Sequence, residues 1–95
     1  MAKKTVVVIG LGRFGSGVAR SLYNLGHDVL AIDLREDNIQ ELLGQVTYAV
    51  KADATSETVL TELGVSNFDA AIVAVGSDMQ SSLMTAVLLD TLGVP

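Results

Sequence analysis

The 95 residues carry 49% hydrophobic side chains and a formal charge of −5. That balance gives one compact domain with its own core and argues against a sequence-independent nucleic-acid binder, which needs a dense basic surface. The chain has no cysteine, so disulfides, thiolate metal sites and cysteine nucleophiles are excluded together.

The opening Met-Ala-Lys-Lys leads into an apolar run too short for a signal-peptide core or a membrane span, and the expected compartment is the cytoplasm. Residues 5–9 are apolar and β-branched and end at Gly10, the pattern of a fully buried strand. Phe14, Val18, Leu22 and Leu25 then recur at helical spacing, with Gly26 closing the helix. Residues 28–33, DVLAID, form a second strand, and a helix over 36–43 carries Ile39, Leu42 and Leu43 on one face and stops at Gly44.

Residues 46–53 alternate, with Val46, Tyr48 and Val50 on one face and Thr47, Ala49 and Lys51 on the other, which predicts a half-exposed third strand. A helix over 56–63, a strand over 69–75 and a last helix over 78–92 complete the order β-α-β-α-β-α-β-α. Such alternation implies a parallel sheet with right-handed crossovers. The expected fold is α/β, a Rossmann-like doubly wound half-domain of four strands in the order 3-2-1-4 with four helices.

In that order strands three and four are the edges. Lys51 and a polar face suit strand three to an edge, whereas strand four is apolar on both faces and calls for a cover. Self-association through strand four and the last helix, as a homo-oligomer, is therefore expected. Residues 1–95 read as a single nucleotide-binding domain, and the ending Leu-Gly-Val-Pro, where a fifth strand would start, reads as the first half of a longer one.

Gly10, Gly12 and Gly15 form G-x-G-x-x-G between a strand and a helix. Gly10 allows the tight turn, Gly12 lets a phosphate reach the backbone, and Gly15 lets the helix pack close to the sheet. The free N–H groups and dipole at the helix start then favour an anion. Asp33 ends the second strand, eighteen residues beyond Gly15, where a carboxylate accepts from ribose hydroxyls and repels a 2′-phosphate. Together these favour an adenine nucleotide over bare turn glycines and a capping aspartate, although Arg35 could accommodate a 2′-phosphate.

Asp53, at the end of strand three, either approaches the adenine or caps the next helix. The loop after strand four, with Val75 and Gly76, lies at the same face, where Ser77 and Asp78 could equally cap the last helix. Arg13, between the second and third glycines, either reaches an additional or terminal phosphate, as in ATP, or is a surface side chain. The single histidine, His27, enters strand two at the end opposite the crevice. Without clustered ligands or a placed nucleophile, the inventory points to binding and not to an enzyme, with no metal.

The stretch VVVIGLGRFGSGVARSLYNLGHDVLAID, with ADAT after strand three, FDAAIVAVGSD through strand four and the closing LLDTLGVP, resembles the N-terminal subdomain of the regulator-of-potassium-conductance domain, also called the TrkA-type N-terminal domain. The resemblance implies a cytoplasmic, oligomeric module that binds NAD(H), ATP or ADP and controls a membrane potassium channel or transporter. It implies that Gly10, Gly12, Arg13 and Gly15 hold phosphates, with Phe14 in the same loop. Asp33 then holds the ribose beside Leu34, Asp53 and Ala54 approach the adenine, and Val75 and Gly76 close the crevice. Two other functions are compatible with the sequence: the NAD-binding half of a dehydrogenase, and an engineered half-Rossmann fragment that at most binds.

Overall fold

A computed structural model describes residues 3–74 of the chain. Four parallel strands lie in the order β3-β2-β1-β4, with β1 at Thr5–Ile9, β2 at Asp28–Asp33, β3 at Tyr48–Lys51 and β4 at Ala70–Val73. The connections are α1 (Arg13–Asn24), α2 (Glu36–Leu42) and α3 (Glu57–Glu62), with a 3-10 turn at Val65–Asn67 before β4. The doubly wound order expected from the sequence is the order found. The expected last helix, with Val75, Gly76, Ser77 and Asp78, lies outside the described residues.

β1 is the centre of the sheet because its residues satisfy both faces. Val6 and Val8 face one core cluster and Val7 and Ile9 the other, so every side chain of the strand beyond Thr5 is buried, as a parallel strand covered on both sides requires. α1 and α2 close the first cluster through Ala19, Ile39 and Leu42; α3 closes the second through Leu60. Gly26 follows α1 with φ +97° and donates to the carbonyl of Tyr23, ending the helix where its glycine was expected to.

Two expectations are corrected, and one further element is present. Phe14 and Leu25, at helical spacing with Val18 and Leu22, are 72% and 64% exposed, and the buried residues of α1 are Gly15, Ser16 and Ala19. The helix meets the sheet through its smallest side chains, with Leu22 partly buried against the first cluster, so its backbone comes close while Phe14 and Leu25 fall on the flank. Val46 packs in the first cluster beside Ala49 and Val50 in the second, while Tyr48 is 67% exposed, so the alternation expected over 46–53 holds only within the shorter β3. The further element is the 3-10 turn, which follows Gly64 at φ +72° and buries Val65 in the second cluster.

β4 is an edge strand among the described residues, half-buried along its length. Its start is clasped to β1: the amide and hydroxyl of Thr5 donate to Asp69 Oδ2 at 2.8 and 3.1 Å, and the Asp69 amide donates to the Thr5 carbonyl at 2.8 Å. Among the described residues no helix is long and apolar enough to cross a membrane.

Candidate functional site

All four strands point the same way, so the residues that follow them gather at one end of the sheet. β1 pairs with β2 on one side and β4 on the other, and the chain leaves it toward β2 before returning to β4, which makes the end of β1 the point where the winding reverses.

The glycine loop is built onto β2 as much as onto β1. Gly10, with φ +91°, donates its N–H to the Ile32 carbonyl at 2.9 Å. Leu11 is buried in the first cluster, and its N–H donates to Asp33 Oδ2 at 2.8 Å. Its carbonyl accepts from the buried hydroxyl of Ser16 at 2.8 Å. A trans peptide points its C=O and the next N–H in opposite directions, so this bond turns the Gly12 N–H away from the buried helix face. Ser16 thus orients the loop, a role that no spacing rule in the sequence marks.

Gly12 and Gly15 differ in what surrounds them. A Cβ on Gly15 would overlap the carbonyl oxygen of Gly10 and meet the Ala74 side chain, so α1 can lie this close only without a side chain there. A Cβ on Gly12 would meet nothing within 4 Å. Packing does not demand that glycine, and the room beside its backbone is open.

α1 starts at Arg13 with no side-chain cap and no acidic residue in its first turn, whereas α2 has Glu36 and Asp37 there and α3 is capped by Ser56, whose hydroxyl accepts from the Val59 amide. Of the three helices among the described residues, only α1 combines an uncapped start with a first turn free of negative charge. Arg13 is exposed at its first position and, among the described residues, makes no ion pair. With exposed Phe14 it also lines a groove of about 440 Å³ along α1, beside Gly17, Val18, Ser21 and Leu22.

Asp33 is half-buried at the end of β2. Burial works against its charge, but hydrogen bonds from the Asn38 side chain and from the Leu11, Arg35 and Leu34 amides outweigh it and hold the carboxyl below its ordinary range. Asn38 Nδ2 donates to Oδ2 at 2.8 Å, and the Arg35 amide donates to Oδ1 at 3.1 Å. Asn38 is the second residue that sequence reasoning missed; its only signal is a position five residues after Asp33, in the first turn of α2. Leu34, next in the chain, is 62% exposed.

The Ala52 amide donates to the Asp33 carbonyl at 3.0 Å, which brings the segment after β3 beside the end of β2. Asp53 is exposed there, its Oδ1 accepting from both the amide and the hydroxyl of Thr55, and these bonds lower its pKa. Ser56 is the cap of α3, so the helix-capping alternative for Asp53 is corrected: its carboxylate closes a turn ahead of the cap. Ala54 is buried in the second cluster. On the β4 side, the Ala74 amide donates to the Ile9 carbonyl at 2.7 Å, next to the glycine loop; Val75 and Gly76 lie outside the described residues.

His27 is buried at the opposite end of the sheet, where its Nδ1 accepts from the Lys4 amide at 3.1 Å. Among the described residues no group of three His, Cys, Asp or Glu could hold a metal ion.

The TrkA-N domain family matches residues 6–94. The chain is 44% identical over 92 residues to the Ktr system potassium uptake protein A of Bacillus subtilis (strain 168), covering 97% of this chain and 41% of that protein. It is 45% identical over 92 residues to the Ktr system potassium uptake protein C of the same organism, covering 97% of this chain and 42% of that one. Among solved structures, the NAD(P)-binding domain of an exopolyphosphatase-related protein from Archaeoglobus fulgidus superposes with a TM-score of 0.82 at 30% identity, covering 95% of this chain and 67% of that one. The chain thus spans about two fifths of the length of the potassium uptake proteins that it matches.

Proposed function

The chain belongs to the TrkA-N domain family, and from that membership we propose that it is a nucleotide-sensing regulatory module of a potassium uptake system. In this reading it works in the cytoplasm beside a membrane transport subunit and takes an adenine nucleotide, NAD(H) or ATP/ADP, at the carboxyl ends of its strands. Two relatives are named as potassium uptake proteins, and a structural relative is named as an NAD(P)-binding domain. They support the two halves of the reading.

The observation that carries it is the hydrogen bond from the Leu11 amide to Asp33 Oδ2. It joins the glycine loop and the carboxylate at the end of β2 into one rigid edge, with an uncapped helix start on one side and an anion on the other. The residues present fit an adenine nucleotide. The open room at Gly12 and the amides of the uncapped first turn of α1 would take phosphate, with Arg13 reaching a terminal one. Asp33 would accept from ribose hydroxyls and, staying anionic, disfavour a 2′-phosphate. Asp53 and the main chain of Ala54 would border the base, with Phe14 and Leu34 as apolar rims.

Bound there, an effector nucleotide supplies no reaction; it supplies a difference in affinity between two states of the full assembly, and it shifts their balance only by that difference. Catalysis has no part in the proposal, since His27 lies at the far end and is engaged by Lys4.

Thermal unfolding with NADH, NADPH, ATP, ADP, AMP and GTP, repeated on Arg13→Ala, tests the reading. A ligand at a hundred times its dissociation constant adds about 2.7 kcal/mol to the native state, a shift of roughly 10 °C or more for a domain of this size. Stabilisation by adenine nucleotides above GTP, with the ATP effect reduced in Arg13→Ala, is expected. Equal shifts with GTP and ADP would reject the adenine site.

A further inference from the structure

The two oxygens of Asp33 are not equivalent. Oδ2 is filled by two short hydrogen bonds, from the Leu11 amide at 2.8 Å and from Asn38 Nδ2 at 2.8 Å. Oδ1 takes a longer bond from the Arg35 amide, 3.1 Å, and the Leu34 amide also donates to the carboxyl. The torsion that turns an aspartate carboxylate is broad and twofold, so a single donor would leave either oxygen free to face a ligand. Two donors converging on one oxygen from different elements, the glycine loop and α2, remove that choice.

Asn38 is well placed to do so. It is half-buried, and the next residue, Ile39, together with Leu42 one turn on, is buried in the first core cluster. That anchors the first turn of α2 to the sheet and fixes where the amide can reach. Its bond to Asp33 spans five residues and crosses the junction between strand and helix.

We propose that Asn38 is a positioning residue for ribose recognition: with Leu11 it commits Oδ2 of Asp33 to the protein and so presents Oδ1 to a ribose hydroxyl. The inference rests on the nucleotide reading and extends it to a residue that touches no ligand itself. Without Asn38 the carboxylate keeps its charge but loses its fixed rotation, and discrimination by the ribose hydroxyls falls.

The test is calorimetric titration of the 95-residue chain with ADP and with 2′,3′-dideoxy-ADP, in the parent protein, Asn38→Ala and Asn38→Gln, with a melting curve for each. The parent should prefer ADP by about tenfold or more, the range of hydrogen bonds to a charged group. In Asn38→Ala that preference should drop below about threefold, through weaker ADP binding and not through a change in the dideoxy nucleotide, while Asn38→Gln, which keeps the amide, recovers part of it. An unchanged preference in Asn38→Ala, or equal weakening of both nucleotides, would overturn the role of Asn38 and leave the nucleotide site standing. A parent chain that binds neither nucleotide, or binds both equally, would overturn the ribose reading and this inference with it.

Discussion

Gly12 and Gly15 sit three residues apart in one motif and answer different demands. At Gly15 the neighbour that a side chain would strike is backbone, the Gly10 carbonyl, which cannot move without shifting the loop. Gly15→Ala should therefore lower stability by about 1–3 kcal/mol, as overpacking does, read as a fall in melting temperature of at least roughly 4 °C. At Gly12 the added methyl enters open room, so Gly12→Ala should cost less than about 1 kcal/mol while ADP affinity falls at least about tenfold, as a group that fills a ligand's place would cause. Melting curves and ADP titration on the two variants separate these effects; a stable Gly15→Ala would contradict the packing account. The turn at Gly10, the close packing at Gly15 and the place of Asp33 at the end of β2 were legible in the sequence because each sits at a fixed offset from a strand end. Ser16 and Asn38 were not, since a hydroxyl or amide that orients a neighbour obeys no such offset and emerges only when the chain is folded.

Elements were legible where one periodicity governs them and blurred where two compete. β1 and β2 came out as expected because central parallel strands are apolar throughout. α1 was found, but its buried face was not, because the spacing of large apolar residues marked Phe14 and Leu25 while close approach to the sheet selected Gly15, Ser16 and Ala19. The joint between β1 and β4 was invisible in the sequence, since Thr5 and Asp69 are 64 residues apart. The Thr5 amide, and then its hydroxyl, hold the Asp69 carboxyl below its ordinary value. A lowered folded value means that this contribution is present above the unfolded pKa, about pH 4, and is lost as pH falls through the folded one. Asp69→Ala should then melt below the parent at pH 7, and the gap should close as the pH is taken below about 4. A gap that stays constant down to pH 3 would show that the clasp does not depend on the charge.

At the scale of the whole molecule, the described residues put the candidate site at one end of the sheet and structural contacts at the other. The crevice collects an uncapped helix start, a pinned carboxylate and an exposed arginine, while the far end holds His27 on Lys4 and Lys3 on Asp28 at 3.4 Å. The net charge of −5 works against an anionic ligand over much of the surface, and in the proposed reading a nucleotide is drawn to the start of α1, where first-turn N–H groups and Arg13 lie together. The most direct measurement is a residue-resolved amide NMR titration of the chain with ADP. The account predicts saturable shifts centred on the Gly12, Arg13, Phe14 and Gly15 amides, with Asp33 and Leu34 following and the His27 end unmoved. Shifts centred on the Gly26 to Asp28 end, with the glycine loop silent, would contradict it.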